Sequence, residues 1–140
     1  MGQFTIRLEG EKGLRKMLEK DPSLGPVVEQ AIYSEATVVL NESKRIVPVR
    51  FGDLRRSGMV EAPKTVGSST SVAITYGGAA APYALAVHEI PPNSGGRWGT
   101  GLTHGSGKSY KYLEIPANAH RDKFVKNVLA RIADHLKKVK

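Results

Sequence analysis

Gly105-Ser-Gly-Lys-Ser109 carries the glycines and the lysine of a phosphate-binding loop, in which consecutive backbone N–H groups curl around a phosphate. That loop needs a glycine five residues before its Gly-Lys pair, but Leu102 stands there and Gly101 is one residue too far. No hydrophobic strand leads in and no helix clearly follows, so a linker explains these residues better than nucleotide binding. His88-Glu89 resembles half of a zinc-protease helix, yet Pro92 occupies the place of the second histidine. His104, His120 and His135 are scattered between a loop and the two ends of the last helix, and are expected to be solvated. The chain has no cysteine, which removes disulfides, thiolate metal sites and a thiol nucleophile together. No serine stands in a Gly-x-Ser-x-Gly setting. Glu29, Glu35, Glu42 and Glu89 can still meet in space as paired carboxylates, but the first three lie along one expected helix, where lysine and arginine are the commoner partners. No catalytic residue, metal or cofactor is expected.

Basic residues are the remaining candidates. The 140 residues carry a formal charge of +8, unevenly spread. Residues 1–89 hold 11 basic and 10 acidic side chains, whereas residues 90–140 hold 10 and 3. A positive field in the C-terminal third suits a polyanionic neighbour, either nucleic acid or an acidic protein face.

The elements that must position these groups follow from hydrophobic period. With 40% hydrophobic and 24% charged residues, the chain reads as one soluble α+β domain over 1–140. Residues 3–8 alternate as a half-buried strand, and Leu14, Met17 and Leu18 mark a short helix over 11–20 that Asp21-Pro22 ends. From Ser23 to Val47, Leu24, Val28, Ala31, Ile32, Glu35, Val38, Val39, Glu42 and Ile46 fall near one stripe. Ser23 is the expected N-cap of this long central helix, and Val28, Ile32, Val38, Val39 and Ile46 are its expected buried aliphatics. Strands are expected over 59–66 and 71–76, joined by a hairpin loop at 67–70, with a short helix over 82–89. Residues 91–109 hold six glycines, two prolines and no acid, the composition of a long mobile loop. A last helix over about 117–138 carries Phe124, Val125, Val128, Leu129, Ile132 and Leu136 as its apolar stripe. The expected architecture is thus a small antiparallel sheet packed against a long central helix and a C-terminal helix. Residues 1–7 lack the apolar run of a signal peptide and nothing approaches a membrane span, so assembly in a cytoplasm without membrane contact is expected.

Three segments, taken in order, resemble the tail-completion, or minor tail and neck, family of long-tailed bacteriophages. They are Pro48-x-Arg50-x-Gly-Asp-Leu-Arg-Arg-Ser57 after a long helix, Tyr83-Ala-x-x-Val87-x-Glu89 after a hairpin, and Tyr112-Leu-Glu-Ile-Pro-Ala117 leading into a final helix. Ile90-Pro-Pro92 and the glycine-rich loop depart from the family's Gly-Thr after the glutamate, and the third motif is one residue longer. The resemblance implies a structural virion protein at the head-tail junction. It would be a homo-oligomeric, six-fold ring through which DNA passes, in contact with the tail terminator and head-closure proteins. Arg50, Arg55, Arg56, Arg97, Lys108 and Lys111 are then the candidates for subunit contacts or for DNA contact at the lumen.

Two other readings compete. A non-specific nucleic-acid-binding module would use the charge of residues 90–140, although no helix-turn-helix or zinc-finger pattern is present. A small basic ribonuclease of the bacterial toxin type would need a proton shuttle, for which His88 with Arg97 is the only pairing available.

Overall fold

The alternating segment Gln3–Leu8 forms strand β1 and the periodic segment Leu24–Ile46 forms helix α1 in a computed structural model of the chain. Residues 3–8, 20–21, 23–48, 52–66, 69–78, 84–89 and 110–138 are described. Apart from Lys20, the expected helix over 11–20 lies outside them, as do Arg50 and the whole of loop 91–109 with Arg97 and Lys108. Helix α2 (Asp53–Ser57), strands β2 (Met59–Val60), β3 (Lys64–Val66) and β4 (Ser69–Thr75), and helices α3 (Ala84–Glu89) and α4 (Glu114–Lys138) complete the fold. It is an α+β architecture: an antiparallel sheet on one flank of α1, with α4 packed on another.

Strand β4 is the centre of the sheet. Pairing with β1 runs from Gln3 opposite Thr75 to Leu8 opposite Thr70, and β2 and β3 share the other edge. The expected single strand over 59–66 is split for a physical reason. Val60 pairs with Ile74 and Lys64 with Ser71, so residues 61–63 face only Ala73 and Val72, a one-residue bulge. Glu61 N still donates to Ala73 O at 2.8 Å, but Pro63 has no N–H with which to continue the ladder. The hairpin is also tighter than the expected loop at 67–70. Val66 pairs with Ser69, leaving two residues between them, and Thr70 is a buried strand residue.

Helix α1 is buried on two flanks. On the sheet side, Thr65 donates to Glu29 at 2.6 Å and Ser43 is hydrogen-bonded to Tyr76 at 2.8 Å. On the other, Glu35 and Ser34 meet residues of α4. Val28, Ile32 and Val39 are fully buried, each stabilising by roughly 1.5–3 kcal/mol before chain entropy offsets it. Val38 is not: it remains 43% exposed, because it lines an open groove between α1 and the start of α4. Nor does Ser23 cap the helix through its side chain. It already has helical dihedrals, and Asp21 Oδ1 accepts its N–H at 3.0 Å, so the residue expected only to end the preceding helix closes the start of this one. At the other end Val47 turns extended (ψ 132°), the conformation required before Pro48.

Helix α4 begins three residues earlier than expected, at Glu114. Pro116 falls within its first turn, where an N–H has no intrahelical partner to lose. Phe124, Val128 and Ile132 are buried against the core, but Val125 and Leu129 of the expected stripe face outward, 44% and 51% exposed. No described helix is long and apolar enough to cross a membrane.

Gly58 shows how closely the connector approaches the sheet. A Cβ there would stand 2.7 Å from Tyr76 Cε1 and 3.1 Å from Leu40 Cδ1, inside van der Waals contact. Gly58→Ala is expected to destabilise by about 2 kcal/mol through overpacking, read as a lowered urea midpoint at unchanged slope. Unchanged stability would mean that the Tyr76 ring has room to move.

Candidate functional site

The three segments that carry the family resemblance converge on one junction. Gly52 adopts a left-handed conformation (φ 84°) at the start of α2, which glycine takes at little cost. Leu54 is buried in the core, while Ser57 Oγ donates to Leu54 O at 2.6 Å and accepts from Gly77 N at 3.0 Å, tying α2 to the end of β4. Next to that tie, the Tyr76 and Tyr112 rings meet edge to face at 4.9 Å, and Tyr112 and His88 do the same. Tyr112 is completely buried and its hydroxyl donates to Ala84 O at 2.7 Å, binding the start of α4 to α3.

His88 is 2% exposed and both of its ring nitrogens are engaged. Nε2 accepts from Glu114 N at 3.4 Å, so Nδ1 carries the proton and donates to Glu89 Oε1 at 2.8 Å. A proton shuttle must reach its substrate, and this imidazole is sealed into a packing junction. Lys111 lies beside it. Its N–H donates to His88 O at 2.8 Å, its backbone is left-handed (φ 55°), and its ammonium pairs with Glu89 and, at 3.3 Å, with Glu114. Hydrogen bonds from Lys111 first and His88 second hold the Glu89 carboxyl below its ordinary range, and the Glu89 carboxylate raises the Lys111 ammonium in turn. These contacts fasten Glu89 to Lys111, which flank residues 91–109 in the chain.

Tyr76 is buried with its hydroxyl against Ser43, and burial pushes its pKa up to about 12. The sign is that of a group kept neutral by folding. The stabilisation is complete below the unfolded phenol's value of about 10 and is lost as pH rises from there towards 12, on the order of 2–3 kcal/mol. Tyr76→Phe is expected to remove that slope, so the stability gap between variant and wild type should narrow between about pH 9 and pH 11. A constant gap in urea titrations would place the hydroxyl in water.

The candidate basic residues do not form one cluster among the described residues. Arg55 and Arg56 are exposed on α2, where Arg56 pairs with Asp53 one turn earlier. Lys111 is engaged by two carboxylates at the junction, and Arg50, Arg97 and Lys108 lie outside the described residues. The candidate carboxylates are dispersed too. Glu29 meets Thr65, Glu35 meets His120 and Asn127, Glu42 meets Arg45, and Glu89 meets Lys111, so no two of them share a site. His120, expected to be solvated, is instead bonded through Nε2 to the buried Glu35 at 2.7 Å. Its partner lies 85 residues away in the chain, which no local spacing could reveal. Among the described residues no group of three His, Asp or Glu could hold a metal ion.

The surface offers a feature that periodicity concealed. Val38, Ile46, Ile115, Pro116 and Ala119 line a groove of about 410 Å³ between the C-terminal half of α1 and the start of α4, with Glu42 and Lys123 also at the groove. Val125 and Leu129 project as a separate apolar ridge farther along α4, in a stretch that also carries Asp122 and Lys126. Both had counted as core-facing in the sequence because they fit the helical period. No protein-family model, curated protein or solved structure matches the chain.

Proposed function

We propose that the chain is a structural subunit of the neck of a long-tailed phage, a tail-completion or head-tail connector protein that closes into a six-fold ring around the DNA path. One observation carries this reading beyond the resemblance: the molecule exposes two different apolar surfaces, a groove at Val38 and Ile115 and a ridge at Val125 and Leu129. Different patches that fit each other generate head-to-tail contacts, and such contacts close into rings when the rotation permits. Asp122 and Lys126 near the ridge offer the opposite charges to Lys123 and Glu42 at the groove. Glu29, Glu35 and Glu89 support the same reading, because each joins one element to another instead of meeting the others in a shared site.

The test uses two surface variants. Leu129→Glu spoils the ridge and Val38→Glu spoils the groove, and neither touches the packed core. Each is expected to lower assembly, measured by sedimentation with purified tails as template, by at least about tenfold, since a charge desolvated in an apolar contact costs more than 1.4 kcal/mol. Mixed together they should form one good contact and stop at a dimer. Full assembly by Val38→Glu alone would point to ridge-on-ridge pairing and overturn the head-to-tail ring.

A further inference from the structure

A second cleft lies between the first turns of α1 and the last turns of α4. Val27, Gln30 and Ala31 form one wall, and Arg131, Asp134, His135 and Lys138 form the other, around a space of about 250 Å³. Arg131, His135 and Lys138 follow one another at helical steps of four and three, which stacks them on one face of α4. What distinguishes them from the other basic groups of the fold is how they are held. Arg45, Arg56 and Lys111 each pair with a carboxylate. Arg131 Nη1 donates instead to Ser34 Oγ at 3.3 Å, and His135 Nε2 lies 3.3 Å from Ser23 Oγ. Neutral hydroxyls on α1 therefore orient both side chains without cancelling charge, and no ion pair among the described residues involves Arg131, His135 or Lys138. Asp134 is the one acid in the lining. Asp21 already takes the hydroxyl and N–H of Ser23, and the hydroxyl first of all holds its carboxyl below the ordinary value.

We propose that this cleft binds a phosphate group, supplied by the backbone of a nucleic acid. The guanidinium fork of Arg131 matches two phosphate oxygens, Lys138 adds a point charge, and the Gln30 amide offers a further donor. The space admits a phosphate but has no aromatic wall for stacking a base, so contact is with the backbone and independent of sequence. The site uses neither of the apolar surfaces invoked for ring closure, and it stands or falls separately from that reading.

Anisotropy of a fluorescein-labelled DNA duplex, titrated with the full chain at about 50 mM salt, tests the assignment. Arg131→Ala and Lys138→Ala are compared with Lys64→Ala, an exposed basic residue on β3 outside the cleft lining; far-ultraviolet dichroism checks that each variant folds. Affinity is expected to fall about tenfold for Arg131→Ala and less than about twofold for Lys64→Ala, with the salt slope of Arg131→Ala shallower by about one. A parallel arm adds inorganic phosphate and reads thermal stability. An Arg131-dependent rise without DNA binding keeps the phosphate site but assigns it to free phosphate. Equal losses in Arg131→Ala and Lys64→Ala, or no response to either ligand, overturn the proposal.

Discussion

Tyr112→Ala is expected to lower stability by about 4 kcal/mol, the middle of the range for deleting a buried aromatic ring. Tyr112 is fully buried, its ring is flanked edge to face by Tyr76 and His88, and its hydroxyl holds Ala84 O. Removing it empties the place where the end of β4, α3 and the start of α4 are joined, and leaves two rings without their neighbour. For a domain of this size the melting temperature should drop by roughly 12 °C, a large part of a typical total stability of 5–15 kcal/mol. Tyr112→Phe keeps the ring and gives up one hydrogen bond, so its cost should be about 1 kcal/mol. Both are read by urea unfolding. A loss under about 1.5 kcal/mol for the alanine variant would show that the three motif segments are not joined through this residue.

The second large effect concerns Glu35. Its side chain is buried between α1 and α4, and its Oε2 accepts from His120 Nε2 at 2.7 Å and from Asn127 Nδ2 at 3.1 Å. Glu35→Ala removes the shared acceptor and leaves two polar groups facing a cavity, an expected loss of about 3 kcal/mol. The partly compensated variant Glu35→Leu with His120→Leu removes the acceptor and one of its two donors, leaving only the Asn127 amide unmatched, and adds apolar volume. It should be more stable than Glu35→Ala by at least about 1 kcal/mol, because the cost lies in the unmatched partner more than in the missing pair. If the double variant is the worse of the two, the pair contributes a net attraction greater than its desolvation.

Which features the sequence reveals depends on whether their cause is local. Helix α1 was legible because a stripe at three- and four-residue steps and a proline after Val47 are properties of neighbours in the chain. The same holds for β1. Burial was legible only in part. Val28 and Val38 fit the same stripe, but a period says which face is apolar and not how far the facing helix extends to cover it. For that reason Val38, Val125 and Leu129 were counted as core although they are exposed. The bulge at 61–63 depends on register with β4, and Gly58 on the Tyr76 ring, so neither has a signature within its own segment. Histidines gave the largest misreading. Seen alone, His120 looks like a solvated group near a helix end, and only the crossing of α1 and α4 brings Glu35 beneath it. The Arg131–His135–Lys138 face went unread, because the serines that orient two of its members, Ser34 on α1 and Ser23 just before it, meet them only through the tertiary contact.

The central claim, a subunit built to join copies of itself at the head-tail junction, is tested most directly by electron microscopy of intact particles carrying the chain with a small visible tag at its N-terminus. The account predicts tag density in a closed ring, six-fold like the tail, around the DNA path between tail and head. Particles complete without the chain, or tag density at any other position, would contradict it.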